Sequence, residues 1–144
     1  MADPLSSAAS IVGIAFPALQ VIRLLSDDLH NIMEAPQTIQ NLKADVSSAR
    51  VAIQAIQAIE DLELEALGKP VVELVKVAIE HCAGACDSFR NDLQRWTKHS
   101  QSGKLSWQDR AKIGIFKEHQ LRAMSEHLQS CKITCNTAVG VATL

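Results

Sequence analysis

The sequence predicts an all-α protein, folded as an antiparallel bundle of about four main helices, and three observations indicate this class. The composition is 47% hydrophobic but only 3% aromatic, with few glycines and prolines, which is typical of a helical globular domain. Apolar residues recur at steps of three and four along four stretches, the spacing that places them on one helix face. Pro36, Gly68 and Pro70 fall between those stretches, where helices end and begin.

Each predicted helix carries one apolar stripe. The first stripe consists of Ala8, Ile11, Ala15, Ala18, Ile22, Leu25, Leu29 and Ile32. The second consists of Ile39, Leu42, Val46, Ala49, Ile53 and Ile56. The third consists of Val72, Val75, Ile79, Cys82, Cys86, Phe89, Leu93 and Trp96. The fourth consists of Leu121, Met124, Leu128, Cys131, Cys135, Ala138 and Ala142. Sustained stripes of this kind favour helices that pack side by side at about 20°.

The links between the stripes predict the topology. Those between the first three helices are short, so we expect these helices to be antiparallel neighbours. A longer polar connection follows the third helix, and we allow for a short additional helix within Lys98–Ile115. A chain of 144 residues has the length of one domain, so a single bundle is expected to span residues 1–144.

The first predicted helix differs from the others because no charged residue lies between Asp3 and Arg23. Beside its bundle stripe it has a second apolar stripe, formed by Leu5, Ala9, Val12, Phe16 and Leu19. A helix in a four-helix bundle normally buries one face, so a helix that is apolar nearly all round indicates contact with lipid, a partner or a further cover.

Two interpretations of this second stripe remain open. In the first, the helix binds a membrane or a partner through Leu5, Ala9, Ile11, Val12, Ile14, Phe16 and Leu19. In the second, the Ser106–Phe116 segment covers the stripe. As a helix, Pro4–Ile22 spans about 28 Å, close to the ~30 Å hydrocarbon core of a bilayer. Three serines, Gln20 and Pro17 nevertheless argue against a permanent membrane span.

Basic residues cluster in and near the long connection. They are Lys98, Lys104, Arg110, Lys112 and Lys117. Such a cluster is usually a solvated segment, but it is also suited to contacts with anionic lipid headgroups.

The four cysteines form two pairs, each one helical turn apart, on the predicted core stripes of the third and fourth helices. We interpret Cys82, Cys86, Cys131 and Cys135 as core residues, because cysteine is among the residue types most often buried. A disulfide or redox role, and a tetrahedral zinc site on facing helices, are the alternatives.

Composition and motifs argue against several classes of function. A net charge of −2 offers no basic face for nucleic acid. The first basic residue follows the apolar stretch, contrary to the order in a secretory signal, so a cytoplasmic location is expected. The histidines are expected to face solvent, and no pattern resembles a P-loop or a nucleophile–base pair. We therefore expect no enzymatic activity, cofactor or metal.

Three segments resemble a known family: MADPLSSAASIVGI at the start, APQTIQNLKADVSSARVAIQAI, and FKEHQLRAMSEHLQSCKITCNTA. They are similar to the N-terminal domain of fungal STAND proteins, the HeLo-like group that precedes nucleotide-binding, repeat-bearing receptors. The resemblance covers almost the whole chain, and its opening is the most specific part. It implies a HeLo-like bundle over residues 1–144 that serves as the effector module of a longer NLR-like receptor, with the downstream receptor domains as partners in cis.

The resemblance also implies a mechanism in innate immunity. Related domains form homo-oligomers, expose the N-terminal helix and permeabilise the plasma membrane in programmed cell death or heterokaryon incompatibility. By position this role falls on Leu5 to Ile22, and it makes membrane lipid a conditional partner. The alternative is a protein–protein interaction or oligomerisation module with no membrane activity.

Overall fold

The computed structural model describes the backbone of residues 4–32, 37–97 and 118–143, and the side chains of the same ranges from residue 11 onward. It contains five helices in these ranges: α1 (Pro4–His30), α2 (Gln37–Ala58), α3 (Asp61–Ala66), α4 (Lys69–Trp96) and α5 (Glu118–Ala142). The predicted all-α bundle of four main helices is confirmed. The Lys98–Ile115 connection, with its possible short helix, lies outside the described residues.

Gly68 and Pro70 lie at the helix boundary that the sequence predicts. Gly68, with a φ of 90°, precedes α4 in a conformation that favours glycine. Pro70 lies in the first turn of α4, where its missing N–H removes no helical hydrogen bond. Pro17 is different, because it lies inside α1 and the helix continues through it to His30.

The order of the helices around the bundle differs from their order along the chain. α1 packs against α2 and α4, and α5 packs against the same two helices. Among the described residues, α2 and α4 are therefore diagonal rather than the neighbours that their short link predicts. The reason is α3, which was not predicted. It contacts α1, α4 and α5 and carries the chain across the end of the bundle, with Leu64 fully buried beneath it.

Two polar contacts show how the helices align. Arg90 Nε donates to Asp28 Oδ2 over 2.7 Å, which joins the C-terminal part of α4 to that of α1. The Ser125 hydroxyl donates to a carboxylate oxygen of Asp45, which joins the N-terminal parts of α5 and α2. The α1–α4 and α2–α5 pairs therefore each run in one direction, whereas α1 and α2 run in opposite directions.

The core consists of the predicted stripes. Every stripe residue whose side chain is described is buried except Ala142, which is half-buried against the core, and Ala8 lies outside the described side chains. Phe89 and Trp96 pack edge to face, with ring centroids 5.6 Å apart. Ala52, Ile59 and Leu64 are buried as well, although the stripes did not include them.

Candidate interaction surface on the first helix

An apolar strip on α1 faces away from the core. Val12 and Phe16 are 42% and 63% exposed, and Leu19 is half-buried beside them. Their spacing of four and three residues places all three on one side of the helix. Ile11, Ala15 and Ile22 fill the core from the other side. The bundle therefore closes its core without Val12 and Phe16.

The predicted site residues of α1 divide into four groups. Val12 and Phe16 point outward, whereas Ile14 and Leu19 are half-buried against the core. Ile11 is fully buried and does not contribute to an outward surface in this conformation, because its position coincides with the bundle stripe. The side chains of Leu5 and Ala9 lie outside the described residues.

The predicted headgroup contacts and the predicted cover of the strip also lie outside the described residues. The first set is Lys98, Lys104, Arg110, Lys112 and Lys117, and the second is the Ser106–Phe116 segment.

A groove of about 560 Å³ runs beside the strip, between α1 and α2, and we call it the α1–α2 groove. Phe16 and Leu19 provide its apolar lining on α1. The remaining lining residues are polar or charged: Gln20, Arg23 and Asp27 on α1, and Arg50, Gln54 and Gln57 on α2. An apolar floor beside hydrogen-bonding and charged groups is typical of a surface that binds an amphipathic segment.

The two arginines give this groove a positive character. Within the described part of the chain, neither Arg23 nor Arg50 forms an ion pair, and Asp27 is the one acidic residue in the lining. The guanidinium groups therefore remain available to an acidic partner.

The α2 wall of the groove was not predicted from the sequence. Arg50, Gln54 and Gln57 recur at steps of four and three, so they share one side of α2. The same spacing of polar residues occurs on any solvated helix face, so the sequence gives no signal that this face lies beside Phe16. That information comes from the packing of α1 against α2.

The four cysteines are buried in the core between α4 and α5, as predicted, and none forms a disulfide. The Cys82 thiol contacts those of Cys86 and Cys131, and Cys131 also contacts Cys135. Hydrogen bonding to neighbouring thiols, followed by burial, raises the pKa of Cys82 and of Cys135. Hydrogen bonds from Cys135 and Cys82 lower the pKa of Cys131.

The alternative interpretation of the four thiols is a tetrahedral zinc site. No group of three or more histidine, cysteine or acidic side chains in the described residues is placed to hold a metal ion. His81, His119 and His127 are exposed, as predicted, and the rings of His81 and His127 lie 6.3 Å apart on the surface beside the cluster.

In residues 4–32, 37–97 and 118–143, no helix combines the length and the apolarity that a membrane span needs.

Comparison with known proteins identifies a family. The model of the family described as pigment biosynthesis cluster protein PigL N-terminal matches residues 2–144, and the chain belongs to this family. No curated protein matches the chain significantly. No solved structure does so either.

Proposed function

We propose that this member of the PigL N-terminal family is a non-enzymatic helical interaction module that self-associates through the outward apolar strip of α1. One observation supports this most directly: Phe16 and Val12 are exposed beside a groove, although the core is complete without them. Exposed apolar side chains that adjoin one another are typical of contact surfaces. Burying a phenylalanine is worth roughly 1.5–3 kcal/mol, which favours an assembly that covers the strip.

The experiment that tests self-association measures molar mass by light scattering over a range of protein concentrations. The variant Phe16→Asp places a charge in the strip. The matched control is Ile133→Asp, because Ile133 on α5 is also 63% exposed. We expect the mass of the wild type and of the control to rise with concentration, and that of Phe16→Asp to stay monomeric. A wild-type protein that is monomeric at every concentration contradicts the proposal.

The biological setting that we propose is that of the fungal HeLo-like domains, which the opening residues resemble. In this setting the module is the N-terminal effector of a longer NLR-like receptor that acts in programmed cell death or heterokaryon incompatibility. The family description supports an N-terminal position in a longer protein. Expression of the chain in a filamentous fungus tests this setting, with growth arrest expected from the wild type and not from Phe16→Asp.

Membrane engagement is the second candidate function, and the uncharged Pro4–Ile22 stretch favours it. The packing of α1 in the core limits when membrane engagement can occur. Insertion of α1 withdraws Ile11, Ile22, Leu25 and Leu29 from the core, where each is fully buried. These four side chains would enter lipid instead, but the core residues of α2 and α4 that α1 covers would become exposed to water unless another copy covers them. We therefore propose membrane engagement for assembled copies only.

Dye release from anionic liposomes tests this second function. The chain is assayed alone and fused to a trimeric coiled coil that forces its assembly. We expect release from the fusion protein, and none from the fusion that carries Phe16→Asp. Absence of both binding and leakage with the wild-type fusion overturns the membrane function but leaves self-association in place.

A further inference from the structure

The short helix α3 exposes one large apolar side chain. Leu62 is 80% exposed, the largest exposure among the large hydrophobic residues described. Leu64, two residues later, is fully buried and anchors α3 to the end of the bundle. Two residues correspond to about 200° around a helix, so the burial of Leu64 directs Leu62 away from the protein.

Acidic residues surround this protruding leucine. Glu60, Asp61 and Glu63 are all exposed. None of them forms an ion pair with another described residue. We call Leu62 with these three carboxylates the α3 tip.

The α3 tip and the α1–α2 groove each combine apolar side chains with charged groups, and most of those charges are opposite in sign. The tip presents one apolar side chain among acidic groups, whereas the groove presents the apolar Phe16 and Leu19 beside Arg23 and Arg50. A volume of about 560 Å³ is sufficient for a leucine side chain together with part of its helical turn. The exposure of Leu62 shows that the tip does not occupy the groove of its own copy.

From this complementarity we propose that the α3 tip of one copy docks into the α1–α2 groove of a second copy. Leu62 contacts Phe16 and Leu19, while Asp61 and Glu63 pair with the arginines of the groove. The inference rests on the self-association proposed above and specifies the two surfaces that make it.

The geometry determines the kind of assembly. Tip and groove are different surfaces, so the contact is heterologous, and each added copy brings a further tip and a further groove. The interface is small, which places it among weak and transient contacts. Because the charges at its rim remain near solvent, its strength decreases as ionic strength rises.

A charge exchange tests the docking. Arg50→Glu makes the groove more acidic, and Asp61→Lys with Glu63→Lys makes the tip basic. All of these positions are exposed, so folding is expected to be retained, and circular dichroism checks this. By sedimentation velocity, each variant alone is expected to associate at least about tenfold more weakly than the wild type. An equimolar mixture of the two is expected to recover association for two reasons. The wild-type tip of the first variant fits the wild-type groove of the second, and the new acidic groove attracts the new basic tip.

A second pair of variants tests the apolar part of the contact. Leu62→Asp removes the protruding side chain, and Leu74→Asp is its control, because Leu74 on α4 is exposed but lies outside both surfaces. We expect association to be lost in the first and retained in the second. If the wild type associates and neither the charge exchange nor Leu62→Asp weakens it, this docking is wrong while self-association stands. A monomeric wild type overturns the proposed function itself.

Discussion

Ile11 and Phe16 lie five residues apart on α1, about 140° around its axis, and Ile11 is fully buried whereas Phe16 is 63% exposed. Both residues are large and apolar, so apolar character alone does not decide which of them enters the core. The position of each side chain relative to α2 and α4 decides it. The result is a helix that stabilises its own bundle with one face and offers another face to a partner.

We expect the two faces of α1 to differ in their contributions to stability. Ile11→Ala leaves a cavity in the core and is expected to lower the free energy of unfolding by about 2–5 kcal/mol. Phe16→Ala removes an exposed ring and is expected to change it by less than about 0.5 kcal/mol. Urea unfolding at low protein concentration measures both variants. Equal destabilisation by the two would contradict the assignment of Phe16 to an outward surface.

The Arg90–Asp28 pair is expected to stabilise the contact between α4 and α1. Its side chains are 22% and 28% exposed, so solvent screens the pair only in part. A double-mutant cycle with Arg90→Ala and Asp28→Ala is expected to give a coupling of about 0.5–1 kcal/mol, which decreases as salt is added. The exposed Arg122–Glu118 pair on α5 is the comparison, with an expected coupling of about 0.3–0.5 kcal/mol. A larger coupling for the exposed pair would be inconsistent with this account.

Two glycine substitutions are expected to have opposite effects. Gly68→Ala forces a side chain into the left-handed region at a φ of 90° and is expected to destabilise the protein by about 1–2 kcal/mol. Gly84 lies inside α4 with open space around its would-be Cβ, so Gly84→Ala is expected to stabilise the protein by about 0.5–1 kcal/mol. Thermal unfolding measures both. Destabilisation by Gly84→Ala would show that the space beside α4 is filled.

The thiol cluster predicts that stability decreases in alkaline solution. The pKa values of Cys82 and Cys135 are raised in the folded state, so above the ordinary thiol pKa of about 8.5 the unfolded chain releases protons that the folded chain keeps. Stability is therefore lost as the pH rises beyond that value. Because the pKa of Cys131 is lowered, its stabilising contribution is already complete above that value. Urea unfolding between about pH 8.5 and 10 is therefore expected to show this decrease, and a smaller one in the double variant Cys82→Ala with Cys135→Ala. An equal decrease in stability in both proteins would show that the thiols of Cys82 and Cys135 do not cause it.

The core was predictable because long amphipathic helices repeat their signal over many turns. The spacing of the apolar residues from Ile39 to Ile56 was enough to predict the buried face of α2. α3 escaped prediction because it is short and buries a single residue, Leu64, which leaves no periodicity to detect. Its passage across the end of the bundle then changed which helices are neighbours. The α1–α2 groove does not depend on α3, because α1 and α2 pack together as their short link predicts. Periodicity alone did not show which side of α2 lies beside Phe16, so only the α1 wall of the groove could be anticipated.

The most direct test of the central claim measures whether the side chain at position 16 becomes buried when copies associate. 4-Fluorophenylalanine is placed at position 16 and, in a separate protein, at position 133 as the control, and ¹⁹F NMR spectra are recorded as protein concentration rises. We predict that the signal from position 16 shifts and loses its sensitivity to solvent D₂O as molar mass increases, while that from position 133 does not change. A signal at position 16 that remains solvent-exposed while the mass increases would contradict the claim that α1 makes the contact.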